Sequence, residues 1–229
     1  MNTILYVGDT SQLKCNQALY DRLLEHAPAW RLDAINKLKI QSGKCQSLGA
    51  FILLYKALSD LDKADLVNLV KIDSKGKPYL PKDSGIYFNL SHSSDRAICL
   101  ISDCEVGCDI EFKKQMKENI ARRFFLESEN ALLTSLSSEQ EKDDMFFRLW
   151  TLKESYMKVT GLGMQLPLNS FGFEFADDMP HLIVTGMSEC ADNKNHYFKE
   201  FFFDEAYAVS CCTIAAKDIQ LKHVDFCSF

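Results

Sequence analysis

Apolar and polar positions change their period several times along the chain. Thr3 to Val7, Val67 to Ile72, Ile86 to Leu90, Ala97 to Ser102 and Val106 to Phe112 carry the short runs of β-branched and aromatic residues typical of strands. Phe171 to Phe175, His181 to Val184, Tyr197 to Phe203 and Ala206 to Ile214 read the same way. Ile35, Leu38, Leu48, Phe51, Leu54, Tyr55 and Leu58 instead recur at three- and four-residue spacings, which predicts a long amphipathic helix over 31–58 with Gly43 as its break point. Further helices are predicted over 16–26, 117–126, 129–136 and 143–160, the last stopped by Gly161. Each half runs helices first and strands afterwards. The pattern therefore predicts an α+β protein of two similar halves, 1–105 and 106–229.

One strand carries a problem. In GCDIEF, residues 107–112, Asp109 and Glu111 point to the same face because strand side chains alternate. Two neighbouring carboxylates repel, and burial raises the cost, so the pair needs a cation or a proton unless it lines the solvent face of an edge strand. Oxygen ligands of this kind suit Mg²⁺.

Three more segments hold candidate chemistry. In FFRLWTLKESYMKVTGLG, residues 146–163, helical spacing puts Leu149, Leu152, Tyr156 and Val159 on one face and gathers Trp150, Lys153, Glu154 and Lys158 towards the other. A surface Glu154–Lys158 pair is the plainer reading. FNLSHSSD, residues 88–95, presents Ser91, His92, Ser93 and Ser94 in a loop between strands, where hydroxyls and an imidazole can hold a phosphate oxygen. Lys75-Gly76-Lys77-Pro78 is a basic turn suited to a phosphate or a flat ring, or simply a turn.

Composition narrows the class. Among 229 residues, 47% are hydrophobic and 25% charged, as in ordinary globular chains. The net charge of -6 argues against a nucleic-acid partner, which requires a basic face. No apolar run is long enough to cross a bilayer and Met1-Asn2-Thr3-Ile4 lacks a secretory signal's basic start, so no membrane partner and a cytoplasmic location are expected. The nine cysteines show no CxxC pair and read as free buried thiols.

In this order, KGKP, FNLSHS, GCDIE, ARRFF and LWTLKESYMKVTGLGMQLPL resemble the 4′-phosphopantetheinyl transferases, most nearly the long, surfactin-synthetase-activating type, over roughly residues 30 to 215. The resemblance implies a pseudo-twofold monomer. Residues 1–105 would take the adenine and 3′-phosphate side of coenzyme A, and 106–229 would carry the Mg²⁺ ligands and the catalytic helix. It implies transfer of 4′-phosphopantetheine from coenzyme A to a serine of an apo acyl or peptidyl carrier protein, with 3′,5′-ADP as the other product. Asp109, Glu111 and Glu154 match the ligands of Mg²⁺, or of Mn²⁺ in its place. Asp109, Lys153 and Lys158 match residues near the coenzyme A phosphates, and Ser91 and His92 match a loop on its 3′-phosphate and pyrophosphate. Lys75, Gly76, Lys77 and Pro78 match the adenine-side turn, and Arg31 a residue that helps hold the 3′-phosphate. Glu154 and Lys158 both remain open as the base that takes the serine proton, and Gly107 is read as giving its strand room to approach the cofactor.

Gln46 stands where many relatives have arginine, Ala34 where the nearest type has a second basic residue, and Ser47 replaces a threonine, with Lys37 or Lys44 in reach to compensate. The carrier is expected to dock around Phe124, Phe125 and Leu126 and the segment up to Met145. Two rivals use the same residues: a Mg²⁺-dependent phosphohydrolase without a protein acceptor, and a carrier-binding module without activity.

Overall fold

The computed structural model describes residues 1–185 and 194–229. In the first unit, β1 (Thr3–Asp9) leads through the short helices α1 (Ser11–Cys15), α2 (Gln17–Leu24) and α3 (Ala29–Asn36) into α4 (Gln41–Ser59). The small ladder β2 (Lys71–Ile72) and β3 (Pro78–Tyr79) follows, then the hairpin of β4 (Tyr87–Ser93) and β5 (Arg96–Ser102). The second unit comprises β6 (Val106–Phe112), α5 (Glu118–Phe124), α6 (Glu127–Ser135) and α7 (Glu139–Thr160). Its ladder β7 (Phe171–Ala176) and β8 (Met179–Val184) precedes β9 (Tyr197–Glu200) and β10 (Tyr207–Thr213), and β11 (Ile219–Val224) closes the chain.

The sheet orders show the repeat. The first sheet runs β11-β1-β5-β4 and the second β6-β10-β9, so β1, α4, β2–β3, β4 and β5 recur as β6, α7, β7–β8, β9 and β10. Strands β1, β5 and β4 pair antiparallel, as do β6, β10 and β9. Strand β11 is the addition: it pairs parallel with β1, placing Leu221 beside Leu5. The expected division at residue 105 assigns 219–229 to the second half, whereas in space this segment extends the first unit's sheet and Phe226 enters its core.

Alternation along the strands sorts the buried apolar side chains of the described residues into three cores. Tyr6, Cys99 and Ile101 face α4, while Leu5, Val7, Ile98 and Leu100 face the other sheet. On β6, Val106, Cys108 and Ile110 fill that space between the sheets. The intervening Gly107, Asp109 and Glu111 must therefore face α7.

Several expected boundaries move. The 31–58 helix breaks at 37–40 and not at Gly43, because Ile40 is extended and α4 begins at Gln41. Of Val67 to Ile72, the first three residues close a 3₁₀ turn, and only Lys71 and Ile72 pair as strand. The FNLSHS segment is strand through Ser93, and the turn is confined to Ser94 and Asp95, with Ser94 at φ 49°. Helix α7 begins one turn early because Ser138 and Glu141 form a capping box, and it stops where Gly161 turns left-handed at φ 67°. Among the described residues no helix is long and apolar enough to cross a membrane. The buried Cys45, Cys99, Cys108 and Cys211 are free thiols.

Candidate active site

Strands β4 and β6 belong to different sheets and run alongside each other, joined by side chains. Asn89 Oδ1 accepts from the Cys108 amide at 3.0 Å, and the Cys108 thiol leans on the Asn89 carbonyl at 3.4 Å. One step further along, Ser91 Oγ donates to Asp109 Oδ1 at 2.8 Å, and Ser93 Oγ donates to Glu111 Oε2 at 2.8 Å while accepting the Phe112 amide at 3.0 Å. Strand periodicity thus carries Asn89, Ser91 and Ser93 onto the neighbours of Cys108, Asp109 and Glu111.

Helix α7 supplies the third wall. Its approach depends on Gly107: a Cβ there would lie 2.1 Å from the Ser155 carbonyl oxygen and 2.6 Å from the Val159 nitrogen. The room made by this glycine is filled by helix backbone and not by a cofactor, which corrects the sequence reading. At this range the Lys158 ammonium donates to Asp109 Oδ1 at 2.6 Å, to Ser91 Oγ at 3.0 Å and to the Cys108 carbonyl at 3.0 Å. Asp109 Oδ2 is buried with no hydrogen-bond partner.

The electrostatics follow from this crowding. Burial, then the charge of Asp109, pushes the Glu111 carboxyl up, and burial followed by Asp109 also raises Glu154. Burial alone would drive Lys158 down, but Asp109 and its other anionic neighbours hold it above the ordinary lysine value. Three carboxyl groups therefore share one cation.

A basic rim lies beside them. Desolvation, then the charges of Lys158 and Arg31, lowers the His92 imidazole. Arg31 stacks over Trp30 with 4.8 Å to the ring centroid, donates from Nη1 to Ser47 Oγ at 3.1 Å and keeps a buried Nε without an acceptor. Burial brings its guanidinium down to about 10. Gln46 spends its amide on the Ser94 carbonyl at 2.6 Å, tying α4 to the β4–β5 turn, and Ala34 and Lys37 are exposed.

One expected placement fails, and two expected contact residues spend their side chains on protein partners. Lys153 is wholly buried, 2.9 Å from Glu129 and bonded to the carbonyls of Leu168 at 2.9 Å and Phe171 at 2.5 Å. It therefore points into the second unit's core and away from Lys158, because α7 is packed on more than one face. Lys75 Nζ donates to the carbonyls of Gly161 at 2.8 Å and Leu162 at 2.9 Å, and Lys77 Nζ to that of Lys158 at 2.5 Å, so both ammonium groups of the basic turn sit on the end of α7. Gly76 and Pro78 shape that turn, with Gly76 at φ 86°. The expected docking surface is partly core as well, since Phe125 is buried and stacks on Phe146 at 5.3 Å.

Among the described residues no group of three or more His, Cys, Asp and Glu side chains is arranged to hold a metal ion. Lys158 lies on Asp109 and Ser93 on Glu111, while Glu154 is near enough for the charges of both carboxylates to raise its own carboxyl. The donor chemistry nevertheless fits Mg²⁺: the groups are oxygen-only, and a buried carboxylate oxygen of Asp109 stands unpartnered.

The family model of the 4′-phosphopantetheinyl transferase superfamily matches residues 105–212. A 4′-phosphopantetheinyl transferase of Bacillus subtilis is 34% identical over 157 residues, covering 68% of this chain and 64% of that protein. One of Aneurinibacillus migulanus is 37% identical over 146 residues, 64% and 58% of the two chains. Another of Bacillus subtilis is 32% identical over 161 residues, 69% and 70%. The chain belongs to the 4′-phosphopantetheinyl transferase superfamily. Its matches span less than two thirds of the length of the first two relatives.

Asn89 is the site residue that sequence reading passed over. Its signal was a polar residue inside an apolar strand, directly ahead of the serines. Ser93, expected in a polar loop, lies in β4, which brings its hydroxyl to Glu111.

Proposed function

We propose that the protein transfers the 4′-phosphopantetheine group of coenzyme A to a serine of an apo acyl or peptidyl carrier protein and releases 3′,5′-ADP. The observation that carries this reading is the Ser91–Asp109–Lys158 cluster, with Glu111 and Glu154 on one side and, on the other, the guanidinium of Arg31, which has a buried Nε without an acceptor, beside the imidazole of His92. A polyphosphate ester needs such a cationic rim beside a carboxylate group, and membership of the family supports the assignment.

In the reaction, the carrier serine oxygen attacks the phosphorus that bears the pantetheine arm. A new P–O bond forms as the bond to the oxygen bridging the two phosphates breaks, and that oxygen leaves with its electron pair on 3′,5′-ADP. Asp109, Glu111 and Glu154 would hold Mg²⁺, which when bound neutralises pyrophosphate charge. Lys158 keeps a positive charge beside that pyrophosphate, and Arg31, His92 and Ser91 hold and orient the phosphates. The serine proton goes to Glu154. Lys158 is a poor acceptor because its three ammonium protons are already donated to Asp109, Ser91 and the Cys108 carbonyl.

Replacement of a basic side chain by Gln46, with its amide spent on Ser94, leaves Arg31 the main contact for the 3′-phosphate. The protein acts in the cytoplasm, as a monomer, without nucleic-acid or membrane partners. Release of 3′,5′-ADP that depends strictly on added apo carrier tests the reading. Release from coenzyme A alone would make the protein a phosphohydrolase instead.

A further inference from the structure

Among the contacts between the two units is one at the end of α7 that the transfer chemistry does not explain. The turn between β2 and β3 is fixed from within: Asp73 Oδ1 accepts the amides of Lys75 and Lys77, each at 2.8 Å, and the Gly76 amide returns to the Asp73 carbonyl at 3.0 Å. Gly76, at φ 86°, lets the chain fold so that both lysines reach the same target. That target is the carboxyl end of α7. A helix leaves its last carbonyls without intrahelical donors, and a cation there is favoured by the helix dipole. Lys77 takes the Lys158 carbonyl at 2.5 Å. Lys75 takes those of Gly161 at 2.8 Å and Leu162 at 2.9 Å, together with Gln165 Oε1 at 3.0 Å.

Lys158 is thus gripped at both ends, by the first unit's turn at its carbonyl and by Ser91, Asp109 and the Cys108 carbonyl at its ammonium. We infer that Lys75 is a positioning residue, a clamp by which the first unit holds the last turn of α7 so that Lys158 meets Asp109 and Ser91. Its effect on catalysis rests on the transfer reading given above. Its effect on the helix end does not.

Lys75 is exposed, so its replacement leaves the folded core intact. Amide hydrogen exchange of the full chain reads the clamp without any activity. In Lys75→Met the amides around Gly161 to Gln165 exchange about two- to fivefold faster, while those of β10 do not change and Lys75→Arg restores the wild-type rate. Unchanged exchange at the helix end overturns the clamp whether or not the protein transfers anything. The kinetic arm uses wild-type protein shown to modify a carrier. There Lys75→Met lowers kcat by about three- to tenfold with the coenzyme A KM unchanged. A raised KM at constant kcat would hand Lys75 to the ligand and overturn the positioning role.

Discussion

Lys158 Nζ lies 2.6 Å from Asp109 Oδ1, while Oδ2 of the same carboxylate is buried with no partner. One oxygen neutralises the lysine and the other is left without a protein donor. The side chains are only 27% and 6% exposed, so the pair is too enclosed to count as a surface ion pair.

Asp109→Asn keeps the shape and removes the charge. Lys158 then loses its counter-charge, which should cost about 1–3 kcal/mol, since its partial exposure spares it the full penalty of a buried unpaired ion. Transfer should fall by at least about a hundredfold, as when a charge-stabilising group is lost from a transition state. Urea unfolding and a transfer assay check both numbers, and near-normal turnover would remove Asp109 from the site.

Lys153→Met should act on stability instead. Both members of the Lys153–Glu129 pair are 0% exposed, and leaving Glu129 buried without its counter-charge, held only by the amides of Leu126 and Phe173, should cost about 3–5 kcal/mol. Denaturant midpoints read the loss. A small loss joined to a raised coenzyme A KM would restore the phosphate contact expected from sequence.

Gly107→Ala should destabilise by about 1–3 kcal/mol or more, because the atoms met are the backbone of Ser155 and Val159 and cannot rotate away. The same displacement withdraws Lys158 from Asp109, so stability and transfer should fall together. Stability equal to wild type would mean that the strand and helix do not approach as described.

Acid should loosen the attachment of β11. Burial raises the Asp60 carboxyl, but hydrogen bonds from Lys222, Lys56 and Tyr6 outweigh it and hold the group below its ordinary value. A carboxylate with a depressed folded pKa stabilises above its unfolded pKa, and that contribution is lost as pH falls through the folded value. Stability should therefore decline more steeply below about pH 4 in wild type than in Asp60→Asn. Parallel curves for the two proteins, measured by urea unfolding, would exclude Asp60 from the acid response.

Strand periodicity made much of this legible. The i, i+2 spacing of Asp109 and Glu111 predicted a shared face, and the structure supplies α7 and β4 as what that face meets. Helix periodicity misled at Lys153, because a helix buried on several sides has no single polar face. The serines of FNLSHS looked like a loop because polar residues in a row mimic one. They remain strand because their backbone pairs with β5, and their hydroxyls find acceptors on β6 of the other sheet. The ends of Lys75 and Lys77, and the return of β11 to β1, depend on partners about 80 or more residues away, which local patterning cannot register.

Intact mass of the carrier reads the transfer itself. The protein is incubated with Mg²⁺, coenzyme A and a panel of apo acyl and peptidyl carrier domains, and each carrier is weighed intact. At least one carrier should gain one phosphopantetheine group, and the gain should disappear when the carrier serine is replaced by alanine. No gain on any carrier, with the protein folded, would contradict the proposed transfer.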